Sequence, residues 1–430
     1  MKIGLLGPYG SGNLGDAAIQ EAMIRNIRKH RPDSQIFGFS VYPDDTEKRH
    51  GVKAYPISRS TALRPKAERP ATGEEIGASG RMDGVRAKLK KIPVIFHVLK
   101  LIYRVLTILP EIPRETMFLV KSYMRLRGFD LLIASGGGQL CDFWGGPWAY
   151  PFVLFKWAVL SKLTGTRFIV VSAGAGPIAA SLSRFFIRMA LLMATYRSYR
   201  DDESKSLVES LGFIGANVVF PDLAFSFPVI RKKGVEVREN DMTTVGVNPL
   251  SYFDPRTWPE HDKEIYQVYI NKVARIADFL LEDKCRVVLF SSDRMDMKVI
   301  ADVQEILKRM GHGDSEENLA VIRTDSVDDL LSCISMMDMV IASRLHTLLL
   351  SFLLHKPAIA ISPHPKVDSL MRGIDVWNYR LDIRTFDPEI LREKLHEMDL
   401  NRGIIVERIR NRVSEFEAAL GRQYEILFGL

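Results

Sequence analysis

Residues Asp338–Lys366 read DMVIASRLHTLLLSFLLHKPAIAISPHPK. Val340, Ile341 and Ala342 form a short apolar run with no room for a charge, the pattern of a parallel strand buried on both faces. Ser343 offers a side-chain oxygen to cap a following helix. Leu345, Leu348, Leu349, Phe352 and Leu353 recur at helical spacing and give that helix one apolar face. Lys356-Pro357 ends it, and Ala358–Ile361 reads as the next buried strand. The stretch is one β–α–β unit, with Arg344 and His346 at its strand-to-helix switch. In open parallel sheets the carboxyl end of a strand, beside a helix N-terminus, is where anionic ligands sit. An arginine and a histidine suit an acidic substrate that needs a proton. Taken alone, Arg-x-His is more often an arginine paired with a domain carboxylate and a satisfied buried imidazole.

The rest of the chain bears on that choice. With 430 residues the chain is too long for one ordinary core, so two domains are expected. A hydrophobic content of 47% with 26% charged residues is that of a globular, water-exposed protein. Cys141, Cys285 and Cys333 lie far apart, without metal or redox spacing, which fits a reducing compartment. MKIGLLGPYG already reads as strand and loop, so no signal peptide is expected. Lys or Arg interrupts the most apolar runs, Ile92–Leu109 and Trp148–Leu163, which argues for surface or core helices rather than spans.

The net charge of +7 is unevenly placed. Arg59–Arg127 holds 15 Lys and Arg against 6 Asp and Glu, and includes KLKKIPVIFHVLKLIYRVLTIL. Basic residues mixed with large apolar ones suit a helix resting on an anionic membrane, so peripheral contact through 86–127 is one reading. A solvated basic face over an ordinary core is the other. No nucleic-acid motif accompanies the charge, and no nucleic-acid partner is expected.

In chain order, Lys2–Gly7 is a strand, Pro8–Asp16 a glycine-rich loop, Ala17–His30 a helix and Gln35–Val41 a strand. GPYGSGNLGD is neither a Walker loop nor a good dinucleotide fingerprint. Its glycines allow backbone amides to approach a ligand, and Asn13 and Asp16 add polar groups at a helix start, where Asp16 alone would be read first as an N-cap. Arg64–Arg86, rich in Pro, Gly, Ala and charge, reads as an insertion or loop. Phe129–Ser135 is a strand ending in Gly136-Gly137-Gly138, followed by Gln139; the glycines admit either a ligand or a tight chain crossing. A helix Phe152–Leu163, a strand Arg167–Ser172 with the turn AGAGP, a helix Leu182–Tyr196, and Arg200 at an element end before a helix Glu203–Leu211 follow.

Polar Arg231–Thr243 reads as an interdomain linker. Beyond it, strands Thr244–Asn248, Arg286–Ser291, Leu319–Ile322, Met339–Ala342 and Ala358–Ile361 alternate with helices Lys263–Glu282, Met297–Met310, Val327–Ser335 and Leu345–Leu354. Val367–Gly373 starts another helix, and Asp387–Leu430 is mostly helical. The fold expected is α/β, with two Rossmann-like domains facing across a cleft: 1–230 carrying an insertion at about 53–127, and 244–385, with 386–430 a helical segment.

Gly10–Asp16 with Ala18-Ile19, the turns SGGGQL and AGAGP, Arg200-Asp201 with Ser204, Pro221-Asp222-Leu223-Ala224, Ser343–His346 and Pro357…Lys366 together resemble the polysaccharide pyruvyl transferase family. The resemblance covers most of the chain except about Lys53–Arg127 and the last helix. It implies a two-domain fold of the GT-B type and transfer of a pyruvyl group from phosphoenolpyruvate to a sugar, as a ketal across two hydroxyls. On it, Arg344 and His346 are catalytic in the donor pocket and Arg200 binds the donor. Ser343 and Lys366 are further substrate-binding candidates, although Lys366 reads equally as a solvated lysine after Pro365. Gly12, Asn13, Asp16, Gly137 and Gln139 fall on the acceptor or cleft side of the first domain. The donor's phosphate and carboxylate suit arginine forks, and His346 is expected to protonate its methylene carbon with a pKa suited to neutral pH.

No step requires a metal, and no cofactor is expected beyond phosphoenolpyruvate as co-substrate. The acceptor implied is a surface polysaccharide of the cell envelope or its lipid-linked precursor, and the location cytoplasmic, at the inner face of the membrane for a lipid-linked acceptor. Two other functions remain open: a glycosyltransferase using a nucleotide sugar on the same fold, and a catalytically silent assembly partner.

Overall fold

β1 (Lys2–Leu6) opens the chain in this computed structural model, and α1 (Leu14–His30) packs back over it before β2 (Gln35–Ser40). The structure describes residues 1–10, 12–59, 111–143, 145–213, 215–229, 242–258, 260–313 and 317–429. α2 (Pro43–His50), β3 (Ala54–Pro56), α3 (Glu111–Leu126), β4 (Leu131–Ser135), α4 (Tyr150–Thr164), β5 (Arg167–Ala173), α5 (Ser181–Met193), β6 (Tyr196–Tyr199), α6 (Asp202–Ser210) and β7 (Val218–Val219) complete the first half. Its strands make one parallel sheet in the order β3-β2-β1-β4-β5-β6-β7.

The second half repeats the plan. β8 (Thr244–Asn248), α7 (Lys263–Glu282), β9 (Arg286–Phe290), α8 (Met297–Arg309), β10 (Leu319–Ile322), α9 (Val327–Ser335), β11 (Met339–Ala342), α10 (Leu345–Leu353), β12 (Ala358–Ser362), α11 (Pro365–Gly373) and β13 (Arg380–Asp382) give a parallel sheet ordered β10-β9-β8-β11-β12-β13. In the opening stretch Val340 pairs with Ala358 and Ala342 with Ala360. Every residue of β4, β11 and β12 is buried, as expected of central strands covered on both faces. In each sheet the strand order reverses beside the first strand, and the two reversal points face one another at their carboxyl ends.

Most expected elements lie within a residue or two of the observed ones. The helix expected over Leu182–Tyr196 is shorter, because Tyr196 pairs with Ile169 and starts β6 while the apolar spacing runs on through it. α2 and β3 carry little signal in the sequence: PDDTEKRH has no apolar stripe, and this helix rests on Pro43 in its first turn and a left-handed Gly51 at its end. The expected linker lies almost wholly outside the described residues, as does the expected insertion apart from its ends, β3 and α3. No described helix is long and apolar enough to cross a membrane.

After α12 (Pro388–Leu400), α13 (Arg402–Gly429) crosses from the second half back to the first. Phe416 meets Phe225 edge-on with ring centroids 5.0 Å apart. Buried Gln423 accepts from Ser172 Oγ at 3.1 Å and donates to Ser198 Oγ at 2.6 Å. At the other end of the junction, Leu14 N donates to the Ser292 carbonyl at 2.9 Å. One hydrophobic core therefore runs from α1 through the whole second half to α13, while a second lies under α3, α4 and α5.

Candidate active site between the two sheets

The first domain contributes the start of α1. Asn13 is the N-cap, its Oδ1 accepting from Gly15 N at 2.9 Å and Asp16 N at 3.2 Å. Its side chain is thus occupied by the helix, and the N-cap reading of Asp16 is corrected: Asp16 stands in the first turn, with its carboxyl group in the cleft region. Burial raises its pKa to about 6, with Asp293 and Asp222 adding to the shift and Arg200 and Arg344 opposing it. One residue earlier, a Cβ on Gly15 would lie 2.1 Å from Nδ1 of His346, so only glycine lets α1 approach the histidine of the opposite domain.

The second domain contributes the switch from β11 to α10. Ser343 does not cap that helix. The N-cap position is Arg344, which makes no side-chain capping bond, and the buried Ser343 hydroxyl lies 3.1 Å from the Tyr269 hydroxyl. Arg344 is gripped by Asp296, Nε at 2.7 Å and Nη2 at 2.9 Å, with Asp293 3.3 Å away. Asp296 is fully buried and also accepts from Ser251 N at 2.9 Å. Nε2 of His346 is buried without a hydrogen-bond partner. Burial lowers the His346 pKa to about 4; Asp222 opposes this, and Arg200, Arg344 and Lys366 reinforce it. The expectation of a pKa suited to neutral pH is thereby corrected: among the protein's own groups the imidazole is an uncharged base at pH 7.

Arg200 stands at the carboxyl end of β6, its Nε 3.3 Å from Asp201 and its Nη1 3.3 Å from Asp222. Its side chain is 5% exposed, yet Nη2 has no partner. A Cβ on Gly174 would sit 2.6 Å from Arg200 Nε, which explains the first glycine of AGAGP. Lys366 lies in the first turn of α11, capped by His364. Burial lowers the Lys366 pKa to about 8, Arg200 acting in the same direction and Cys141, Asp201 and Asp16 against it. A Cβ on Gly138 would approach its Nζ to 2.9 Å. Lys366 is partly buried beside the glycine turn, not a solvated lysine.

The glycine turn is a chain crossing. Gly136 and Gly137 have φ of +59° and +67°, Gly174 N donates to the Gly137 carbonyl at 2.7 Å, and Leu140 N to the Gly174 carbonyl at 3.1 Å. The two glycine turns named from sequence are zipped together. Gln139 is buried beneath them, donating to the Ser135 carbonyl at 3.1 Å and accepting from Tyr150 at 2.9 Å, so its amide serves the scaffold. Gly137 still borders the site, the place of its missing Cβ being 3.7 Å from Asp16 Oδ1. Gly12 lies further along the cleft, beside Arg294 in a small recess with Asp293 and Thr324.

Arg200, His346, Lys366 and Asp16 therefore meet between the domains, with Arg344 beside them on its own carboxylates. The acids around them, Asp222 beside Arg200 and Asp293 and Asp296 beside Arg344, are not site candidates from sequence, although Pro221-Asp222 is part of the resemblance. A cavity of about 600 Å³ opens from Arg200 and Lys366, lined also by Asp222, Phe225, Leu345 and Phe416. Its α13 wall carried no sequence signal, because the helix reaches the cavity only by crossing domains.

Among solved structures, HepE of Anabaena in complex with UDP is similar over all of both chains, with 12% identity and a TM-score of 0.55. UDP-GlcNAc 2-epimerase from Neisseria meningitidis, bound to UDP-GlcNAc, has 10% identity and a TM-score of 0.55 over 99% of this chain and all of that one. Acinetobacter baumannii MurG has 10% identity and a TM-score of 0.52 over 100% of this chain and 99% of its own. At these identities the likeness establishes the two-domain GT-B-like fold. No curated protein sequence matches at a significant level. The profile of the family described as "Polysaccharide pyruvyl transferase" matches residues 13–365, most of the chain and the site just described apart from Gly12, Lys366 and the α13 wall, and the chain belongs to that family of transferase enzymes.

Proposed function

We propose that the protein transfers the pyruvyl group of phosphoenolpyruvate to two hydroxyls of a sugar in a surface polysaccharide or its lipid-linked precursor, forming a pyruvate ketal and releasing phosphate. The observation that carries this reading is the pair of buried, unpartnered polar atoms, Arg200 Nη2 and His346 Nε2, in a region that also holds Lys366. One is a fixed cationic donor and the other a proton-transfer atom; phosphoenolpyruvate needs both.

Arg200 and Lys366 bind the donor's phosphate and carboxylate, supported by the N-termini of α10 and α11. The donor's negative charge offsets the burial and the neighbouring cations that keep His346 neutral, so the imidazole takes up a proton as the donor binds. His346 then gives this proton to the methylene carbon, which becomes the methyl group. The first sugar hydroxyl attacks the resulting cation-like carbon, losing its proton to Asp16. The C–O bond to phosphate breaks, and the second hydroxyl closes the ketal while its proton leaves with phosphate. Arg344 acts by position and field from its seat on Asp296.

Calorimetric titration with phosphoenolpyruvate, and separately with UDP and GDP, tests the reading, with Arg200→Gln as control. Phosphoenolpyruvate binding that the variant loses is the expected result. Binding of a nucleoside diphosphate without phosphoenolpyruvate would transfer the assignment to a glycosyltransferase using a nucleotide sugar; HepE, of similar fold, holds UDP.

A further inference from the structure

The α4–α5 face of the first domain presents a surface that neither the cleft nor the core explains. Along α4 and the turn before it, Trp148, Phe152, Phe155, Val159 and Leu163 form a stripe at helical spacing, and none is buried. Trp148 is 67% exposed and Leu163 65%. The neighbouring helix carries a second stripe, Leu182, Phe185, Met189 and Leu192, with Phe185 52% and Leu192 53% exposed. The stripes touch: Trp148 meets Phe152 at 5.2 Å and Phe186 at 5.6 Å, and Phe155 lies 6.2 Å from Phe185, between ring centroids. Aromatic and aliphatic groups thus share one outward face, well beyond singly scattered exposed residues.

The stretch of chain that builds this face carries charge of one sign, while the adjacent α3 brings Glu115 to within 3.3 Å of Lys156. From Phe143 to Arg200 the chain has seven Lys and Arg and no Asp or Glu. Lys162, Arg184 and Arg188 are exposed on the two helices that carry the stripes. A protein partner of ordinary composition does not call for 58 successive residues without an acid, whereas an anionic bilayer does: apolar groups enter the acyl boundary while arginines and lysines meet lipid phosphates. An exposed tryptophan beside such a rim is suited to the headgroup layer.

We infer that the α4–α5 face docks the protein on an anionic lipid bilayer. Trp148 precedes α4, which follows the carboxyl end of β4, the sheet edge that bears the cleft. The Trp148 end of the docked face therefore adjoins the cleft edge, which places the cleft at the membrane's flank, within reach of a lipid-linked acceptor. The link to that acceptor rests on the function proposed above; the docking itself does not. The surface differs from the 86–127 stretch suspected from sequence, since none of its residues lies there.

The test is co-sedimentation of the full-length protein with vesicles of phosphatidylcholine, and of phosphatidylcholine doped with phosphatidylglycerol. The wild type should pellet with the anionic vesicles and stay in solution with the neutral ones. Phe185→Ser/Leu192→Ser and, independently, Arg184→Glu/Arg188→Glu should each weaken partitioning by about tenfold or more, with salt eroding the wild-type partition. Phosphoenolpyruvate titration of the same variants confirms that they are folded, and a failure in that arm alone would strike the proposed reaction, not the docking. Anionic vesicles that recover no wild type, or that recover both double variants equally well, overturn the inference. So does a wild type that dimerises through this face, becomes monomeric in the variants and ignores vesicles.

Discussion

Arg344 grips Asp296 through two near-parallel hydrogen bonds of 2.7 and 2.9 Å, and Asp296 is fully buried. The arginine most prominent in the sequence is therefore matched to a carboxylate of its own domain, while Arg200 retains an unpartnered donor atom. Arg344→Ala would leave Asp296 an uncompensated buried charge, costing about 3–5 kcal/mol. A lowered melting temperature is the expected result, with Asp296→Asn in the same background recovering much of it. An Arg344→Ala variant as stable as the wild type would show that the pair is not what holds this part of the domain.

Asp16 should show an opposite balance of stability and activity. Its pKa is raised from 3.8 to about 6, so the folded state holds its proton more tightly than the unfolded chain. The favourable contribution is complete below about pH 4 and is lost as pH rises through 6. At pH 7.5 the ionised carboxylate destabilises the protein by about 1–3 kcal/mol, so Asp16→Asn should raise the melting temperature there but not at pH 4. Turnover should fall by about two orders of magnitude or more if the carboxylate is the base. A melting temperature that does not change with pH in this manner rejects the assignment of the strain to Asp16.

His346, held at about 4, must gain a proton before it can give one to carbon. Phosphoenolpyruvate binding near pH 6.5 should take up protons from buffer, read from titrations in buffers of different ionisation enthalpy. His346→Gln should bind the donor with that uptake reduced. If uptake is the same in the variant, the proton goes elsewhere and His346 is not the acid.

Lys366 gives a complementary signature on the alkaline side. With its pKa lowered to about 8, it loses charge as pH rises through that value, and donor affinity should fall across the same range. Lys366→Met should bind about tenfold or more weakly at pH 7 and lose most of this alkaline dependence. A wild-type dissociation constant that is flat from pH 7 to pH 9 would remove Lys366 from the phosphate site.

Local readings of the sequence succeeded where chemistry and position are both local. Val340–Ala342 and Ala358–Ile361 are apolar throughout because a central parallel strand is covered on both faces, and the structure buries each of them. Asn13, Gly15 and Asp16 were legible as a polar helix start, although which oxygen caps the helix depended on φ and ψ at Asn13. The helix expected to reach Tyr196 failed because pairing with Ile169 overrides the apolar period.

The chain's own residue order determined two alternating β/α halves, a cleft-facing Arg-x-His at one strand end and the family to which the protein belongs. Tertiary structure alone decided which charges meet. Arg344 finds Asp296 from another strand's loop, His346 finds Gly15 from the opposite domain, and α13 brings Phe416 to the cavity by crossing between halves. Proton affinities follow those meetings, since burial and neighbouring charge act through space and are independent of separation along the chain.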